Sequence, residues 1–148
     1  MQTVGEIVKG RAFYSVAPDQ TIYDAARVMA ERDIGAVPVL DSNRLIGIFS
    51  ERDMIQRVIV ADRDLRQTSV GDVMTKEIVV AQDSENIEAV IERMQSHRVR
   101  HIPVVKGDRV IGFLSLRDLL AADLREKDTQ VQDLNTYIYY LPPENMGS

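Results

Sequence analysis

The sequence has no cysteine and no tryptophan, and only two histidines among its 148 residues. Without cysteine there can be no disulfide, no cysteine-ligated zinc and no thiol nucleophile. The two histidines, His97 and His101, leave little material for acid–base catalysis. Their spacing of four could ligate a metal on a helix, but they fall at an expected helix-to-strand transition among arginines, so no metal is expected. The Asp41-Ser42-Asn43 run lacks the glycine and the closing glutamate of a calcium loop. GxSxG, Walker A, HExxH and GxGxxG are all missing, and no enzymatic activity is expected. Positive charge is the minority, with Lys+Arg 18 against Asp+Glu 23 and a net charge of -5. Such a chain repels polyanions, which speaks against a nucleic-acid polymer as partner. No apolar run approaches the roughly 18 to 20 residues that span a bilayer. The opening MQTVGEIVKGRAF also has no apolar signal core, so a cytoplasmic location without membrane contact is expected. The hydrophobic content of 45% is that of an ordinary globular protein with a buried core.

What the chain does have is a repeat. Shifted by 65 positions, Ile22 falls on Ile87, Met29 on Met94, Pro38 on Pro103, Val39 on Val104, Arg44 on Arg109, Ile46 on Ile111 and Gly47 on Gly112. Ser50, Arg52 and Asp53 likewise fall on Ser115, Arg117 and Asp118. These ten identities lie without a gap in a window of 33 positions, so the two halves are copies of one unit. A shift of 66 extends the match upstream, pairing Val4-Gly5-Glu6-Ile7 with Val70-Gly71-Asp72-Val73.

Within each copy the hydrophobic period changes in order. Ile22, Ala25, Ala26 and Met29 recur at helical spacing behind Thr21, as do Ile87, Val90, Ile91 and Met94 behind Asn86, each preceded by an N-cap residue. AVPVL and LIGIF, split by Asp41-Ser42-Asn43-Arg44, read as a strand hairpin, and so do HIPVV and VIGFL around Lys106-Gly107-Asp108. Proline in the first strand of each hairpin pushes it to an edge or beside an irregularity. A helix follows each hairpin. The unit reads strand-helix-strand-strand-helix, an α/β (α+β) fold. One unit of about 60 residues is too small to bury both faces of its strands, so the two are expected to pack through their sheets about a pseudo-two-fold axis, leaving clefts between them. The boundaries read as 3–60 and 70–124 with a connector at 61–69. Thr129-Gln130-Val131-Gln132 looks like a capping box, which predicts a separate amphipathic helix over 127–141 followed by a tail at 142–148. Tyr137, Tyr139 and Tyr140 on that segment suit packing or an interface.

The opening segments VGEIV and VGDVM, the strands AVPVL and HIPVV, and above all LIGIFSERD and VIGFLSLRD resemble the tandem CBS-domain pair, or Bateman module, in its stand-alone bacterial form. The resemblance covers about residues 3–123. It implies regulatory sensing of an adenosine ligand (AMP, ADP, ATP, NAD(H) or S-adenosylmethionine), usually by a homodimer, with the signal passed to a separate effector protein.

Ser50 and Asp53, like Ser115 and Asp118, have the S-x-x-D spacing of a helix cap. A carboxylate at a first helical turn can also accept from the two hydroxyls of a ribose. The resemblance assigns that role to Asp53. It also implies that basic residues just before the second unit's hairpin, Arg100 and His101, reach across the pseudo-dyad to the phosphate held with Asp53. The aligned residues Gly35 and Ala36 offer the Asp118 site nothing comparable, so Ser115 and Asp118 mark a second, weaker site. Arg52 is a further phosphate candidate. Tyr14, Val16 and Pro38 complete the expected ligand set, since Tyr14 to Pro18 matches the family segment lining the adenine. A sulfonium cation beside Arg100 would be unfavourable, which favours a phosphate-bearing nucleotide over S-adenosylmethionine. A ligand-free dimerisation or protein-interaction scaffold is the alternative.

Overall fold

The computed structural model describes the backbone of residues 2–138 and the side chains as far as Gln130. Its order is α1 (Val4–Val8), α2 (Ile22–Arg32), β1 (Ala36–Asp41), β2 (Arg44–Ser50), α3 (Glu51–Asp53), a π-helical turn (Met54–Ile59), α4 (Val70–Val73), β3 (Ala81–Gln82), α5 (Ile87–Ser96), β4 (His101–Lys106), β5 (Arg109–Ser115) and α6 (Leu116–Ile138).

The local chemistry explains the elements. Thr21 caps α2 in a reciprocal box with Asp24, and Asn86 caps α5 by accepting from the Ala89 amide. The β1–β2 hairpin turns through Ser42 and Asn43, both with positive φ, while the β4–β5 hairpin uses Gly107 at φ 63. Both hairpins are antiparallel and slip register at the same place, between Val39 and Leu40 and between Val104 and Val105. Each irregularity lies just after the proline, a position where proline is tolerated in a strand. The leading strand of each unit is vestigial. In the first unit it is a single parallel bridge from Val16 to Val39, and in the second it is β3, two residues paired in parallel with β4.

The two units face each other through β2 and β5. Equivalent hydrogen bonds on either side of the pseudo-dyad, Glu51 N to Gly35 O at 3.0 Å and Leu116 N to Arg100 O at 2.7 Å, show how closely the copies correspond.

The spatial cores do not coincide with the halves of the sequence. The core built on α2, β1 and β2 is completed by Val70, Val73 and Met74 from the start of the second copy. The core built on α5, β4 and β5 is completed by Val4 and Val8 from the start of the first. Each opening segment is thus exchanged onto the other unit. Two glycines make this possible: Gly47 and Gly112 lie where a Cβ would overlap the side chains of Met74 and Val8, respectively.

The separate helix expected over 127–141 is corrected. α6 runs unbroken from Leu116 to Ile138. Leu116 to Ile138 contains neither glycine nor proline, and Lys127 pairs with Asp123 one turn earlier, so nothing interrupts the helix where the second unit ends. The Thr129 hydroxyl donates to the carbonyl of Arg125 at 3.0 Å, a bond made within the helix. Tyr139, Tyr140 and the 142–148 tail lie outside the described residues, as does the side chain of Tyr137. Among the described residues, no helix is long and apolar enough to cross a membrane.

Candidate functional site

β2 ends at Ser50, and the chain turns there into α3. Ser50 Oγ accepts from the Asp53 amide at 3.3 Å, and Asp53 Oδ2 accepts from the Ser50 amide at 3.0 Å and from its hydroxyl at 3.1 Å. This reciprocal cap fixes the carboxylate at the rim of the inter-unit groove. Asp53 is only 4% exposed, and its other oxygen, Oδ1, accepts from the Thr75 hydroxyl at 2.9 Å. Arg57 Nε lies 3.7 Å from the same oxygen, while its Nη1 donates to the carbonyls of Val73 and Met74 at 3.3 and 3.0 Å. The carboxylate therefore ties the first unit to the segment that opens the second.

Beside it lies a cavity of about 740 Å³, within the range of small-molecule sites. The first unit contributes Ser50, Glu51, Arg52 and Asp53. The second contributes two walls: Thr75, Glu77, Ile78 and Val79 on one segment, and His97 to His101 on another. Ile48, Ile78, Val79 and Val99 supply apolar surface, while Arg52, Arg98 and Arg100 supply cations. A flat apolar group and an anion could therefore be held in one cavity.

His101 stacks on Phe113, with ring centroids 5.8 Å apart and planes 6° from parallel. Burial lowers its pKa below the usual imidazole value; Glu51 and Asp118 pull it back up, and Arg100 adds to the lowering. Gly35 stands opposite, where a Cβ would meet both His101 Cε1 and the Glu51 carboxylate at 3.5 Å.

Of the residues singled out from sequence, Ser50, Arg52, Asp53, Arg100 and His101 share this one cavity. Tyr14, Val16 and Pro38 stand outside its lining. The Tyr14 ring lies under the Arg32 guanidinium, 4.3 Å from carbon to centroid. Val16 is buried and bridges to Val39, and Pro38 sits opposite Ile48 in the hairpin. Thr75, Glu77, Ile78 and Val79 line the cavity and are not among the residues singled out from sequence. The signal was there: the 65-residue shift sets Val79 opposite Tyr14, so it is the other copy's equivalent segment that lies here.

The equivalent carboxylate is differently placed. Asp118 Oδ2 accepts from the Ser115 amide at 2.8 Å, and Ser115 Oγ accepts from the Asp118 amide at 3.0 Å, so the cap is kept. The Asp118 side chain is 32% exposed, however, and its partner is Arg11, with Nη2 3.5 Å from Oδ1. Partial burial opposes its ionisation, but the Ser115 bonds and Arg11 outweigh that and hold its pKa below the ordinary value. Arg11 comes from the exchanged opening segment of the first unit and aligns with Glu77 at a shift of 66. Among the described residues, no three of His, Cys, Asp or Glu converge as metal ligands.

Comparison with known proteins places these observations. A family model, the CBS domain, matches residues 4–60 and again 70–125. The mitochondrial CBS domain-containing protein CBSX3 of Arabidopsis thaliana is 37% identical over 126 residues, a match covering 81% of this chain and 61% of the relative. The chain thus spans less than two thirds of that relative's length. A signal-transduction protein with CBS domains from Burkholderia ambifaria superposes with a TM-score of 0.79 at 34% identity, covering 84% of this chain and 95% of its own. The crystal structure of CBSX2 in complex with AMP gives a TM-score of 0.71 at 27% identity over 86% of this chain and 99% of its own.

Proposed function

The chain belongs to the CBS-domain family and carries two copies of the unit in tandem, and from this we propose that it is a regulatory module that binds an adenine nucleotide in the Asp53 cavity. The observation that carries this reading is an inter-unit cavity lined by a buried, capped carboxylate together with Arg98, Arg100 and His101. A ribose diol suits the carboxylate, and an anionic phosphate suits the arginines. The structural relative bound to AMP is consistent with the same ligand class. AMP, ADP, ATP and NAD(H) all fit this chemistry, making the module a sensor of energy or redox state. S-adenosylmethionine fits less well, because it brings a cation and no phosphate to Arg100.

Ligand in a cavity walled by both units favours one relative packing of the units over another, and only such a difference in affinity can carry a signal. The change would reach a separate cytoplasmic effector through the surface of a homodimer. An exposed apolar stripe supports the dimer: Ile55 and Ile59 on the first unit, and Leu120 and Leu124 at the positions 65 residues later, are 55%, 62%, 42% and 70% exposed. Ile59→Asp should shift the protein to a monomer in sedimentation analysis. Mass spectrometry of the protein purified without added ligand, followed by calorimetry with AMP, ADP, ATP, NAD(H) and adenosine, tests the main reading. If no adenosine compound binds while the protein remains dimeric, it is a scaffold.

A further inference from the structure

Asp53 is the proposed ribose acceptor, yet it is almost fully engaged. A carboxylate offers about four lone-pair positions. Here Oδ2 takes both the Ser50 amide and its hydroxyl, and Oδ1 takes the Thr75 hydroxyl with Arg57 close by. A diol needs two acceptor positions, so at least one present donor must leave. The two Ser50 bonds belong to the cap that starts α3, and breaking them would unfix the helix on which Asp53 sits. The Thr75 bond has no such role. The Thr75 backbone is clamped on both sides, its amide donating to the Ile48 carbonyl at 2.8 Å and its carbonyl accepting from the Ile48 amide at 2.9 Å. Only the hydroxyl can move, by rotation about χ1 to another staggered well.

We propose that the Thr75 hydroxyl is a built-in competitor for the ribose position on Asp53, set aside by an incoming ligand that carries both ribose hydroxyls. This rests on the nucleotide reading above and adds a residue that sets affinity and selectivity for the diol. The consequence for signalling is direct. Thr75 lies on the segment opening the second copy and Asp53 in the first, so ligand entry trades a bond between the two copies for two bonds to the ligand.

The test is calorimetry on the full chain with AMP and with 2′,3′-dideoxy-AMP. Thr75→Val keeps the β-branched shape and removes the donor. It should bind AMP about tenfold more tightly than the unsubstituted protein, gain nothing for the dideoxy compound, and have a lower melting temperature without ligand. Thr75→Ser, which keeps the hydroxyl, should match the unsubstituted protein. Equal or weaker AMP binding by Thr75→Val overturns the proposal, because Thr75 is then neutral or a ligand contact. A crystal structure of the unsubstituted protein with AMP is the second check: a Thr75–Asp53 bond still in place beside bound ribose also overturns it. If AMP binds through Asp53, as shown by loss in Asp53→Ala, and Thr75→Val is not tighter, only this inference falls. If neither the unsubstituted protein nor Thr75→Val binds AMP, the nucleotide reading falls with it.

Discussion

Asp53 and Asp118 end the same four-residue motif, follow equivalent strands and close equivalent caps, yet they occupy opposite states. Asp53 is buried and held by Thr75 and Arg57, whereas Asp118 is part-exposed and faces Arg11 across a 3.5 Å gap. The difference does not come from the motif. It comes in part from the turns that follow, where Arg57 has Ala122 as its counterpart, and in part from the opening segment that each carboxylate meets, which belongs to the other copy: Thr75 and Glu77 on one side, Lys9 and Arg11 at the matching positions on the other. The motif supplies a capped carboxylate, and its surroundings decide what that carboxylate is available for.

The contrast can be broken most sharply at the carboxylates themselves. Asp53→Ala should weaken AMP binding by roughly tenfold or more, while Asp118→Ala leaves it nearly unchanged in the same calorimetry. Asp53→Ala should also lower stability by about 1 to 3 kcal/mol by stranding the donors of Ser50 and Thr75. Next in size is Arg100→Ala, which should cost AMP about tenfold and adenosine almost nothing, since only AMP brings a phosphate to the cavity.

A smaller effect tests His101, on which the Glu51 and Asp118 carboxylates act. Burial lowers the His101 pKa, and a bound phosphate would favour its protonated form. AMP affinity should therefore rise a few-fold as pH falls from about 8 to 6, and His101→Gln should flatten that slope. Without ligand the sign reverses. The lowered folded pKa means that the unfolded chain protonates first, so His101's share of stability is lost as pH falls below about 6.5. Arg11→Ala should have the least effect, under about 1 kcal/mol on stability, because the pair is exposed. Asp118's lowered pKa contributes stability above the ordinary carboxylate range, and that share is lost as pH falls through the lowered value. Carboxyl NMR titration of Arg11→Ala should show the Asp118 pKa moving up toward normal.

Much of this was legible in the residues. The 65-residue shift exposed the repeat, the N-cap residues Thr21 and Asn86 marked the helices, and the prolines located the irregularity in both hairpins. The family resemblance, carried by the Ser50–Asp53 motif and the basic residues before β4, named five residues that line one cavity. The exchange was not legible. Val4, Val8, Val70 and Val73 are apolar in a pattern that announces burial, but burial has no address, and helices of four or five residues carry no amphipathic direction. The resemblance points to Tyr14 and Val16, whereas the lining of this cavity takes Thr75, Glu77, Ile78 and Val79 from the other copy. The continuity of α6 was missed for a different reason: a plausible capping sequence inside a helix is overruled when the turns before it leave no carbonyl or amide in need of a partner.

The exchange of opening segments also has a consequence for how the protein is made. When residue 60 leaves the ribosome, the first copy is complete as a sequence but not as a core, since Val70, Val73 and Met74 have yet to be synthesised. The helix Val4–Val8 must wait longer still, until Gly112 and the rest of β5 arrive to receive it. Val4–Val8, made before the rest of the first copy, is thus among the last of its segments to find its place, and contacts this distant in sequence slow folding. A cut between the copies should release two fragments that each lack the clasp held by the other. In denaturant the intact chain should lose both cores in one transition.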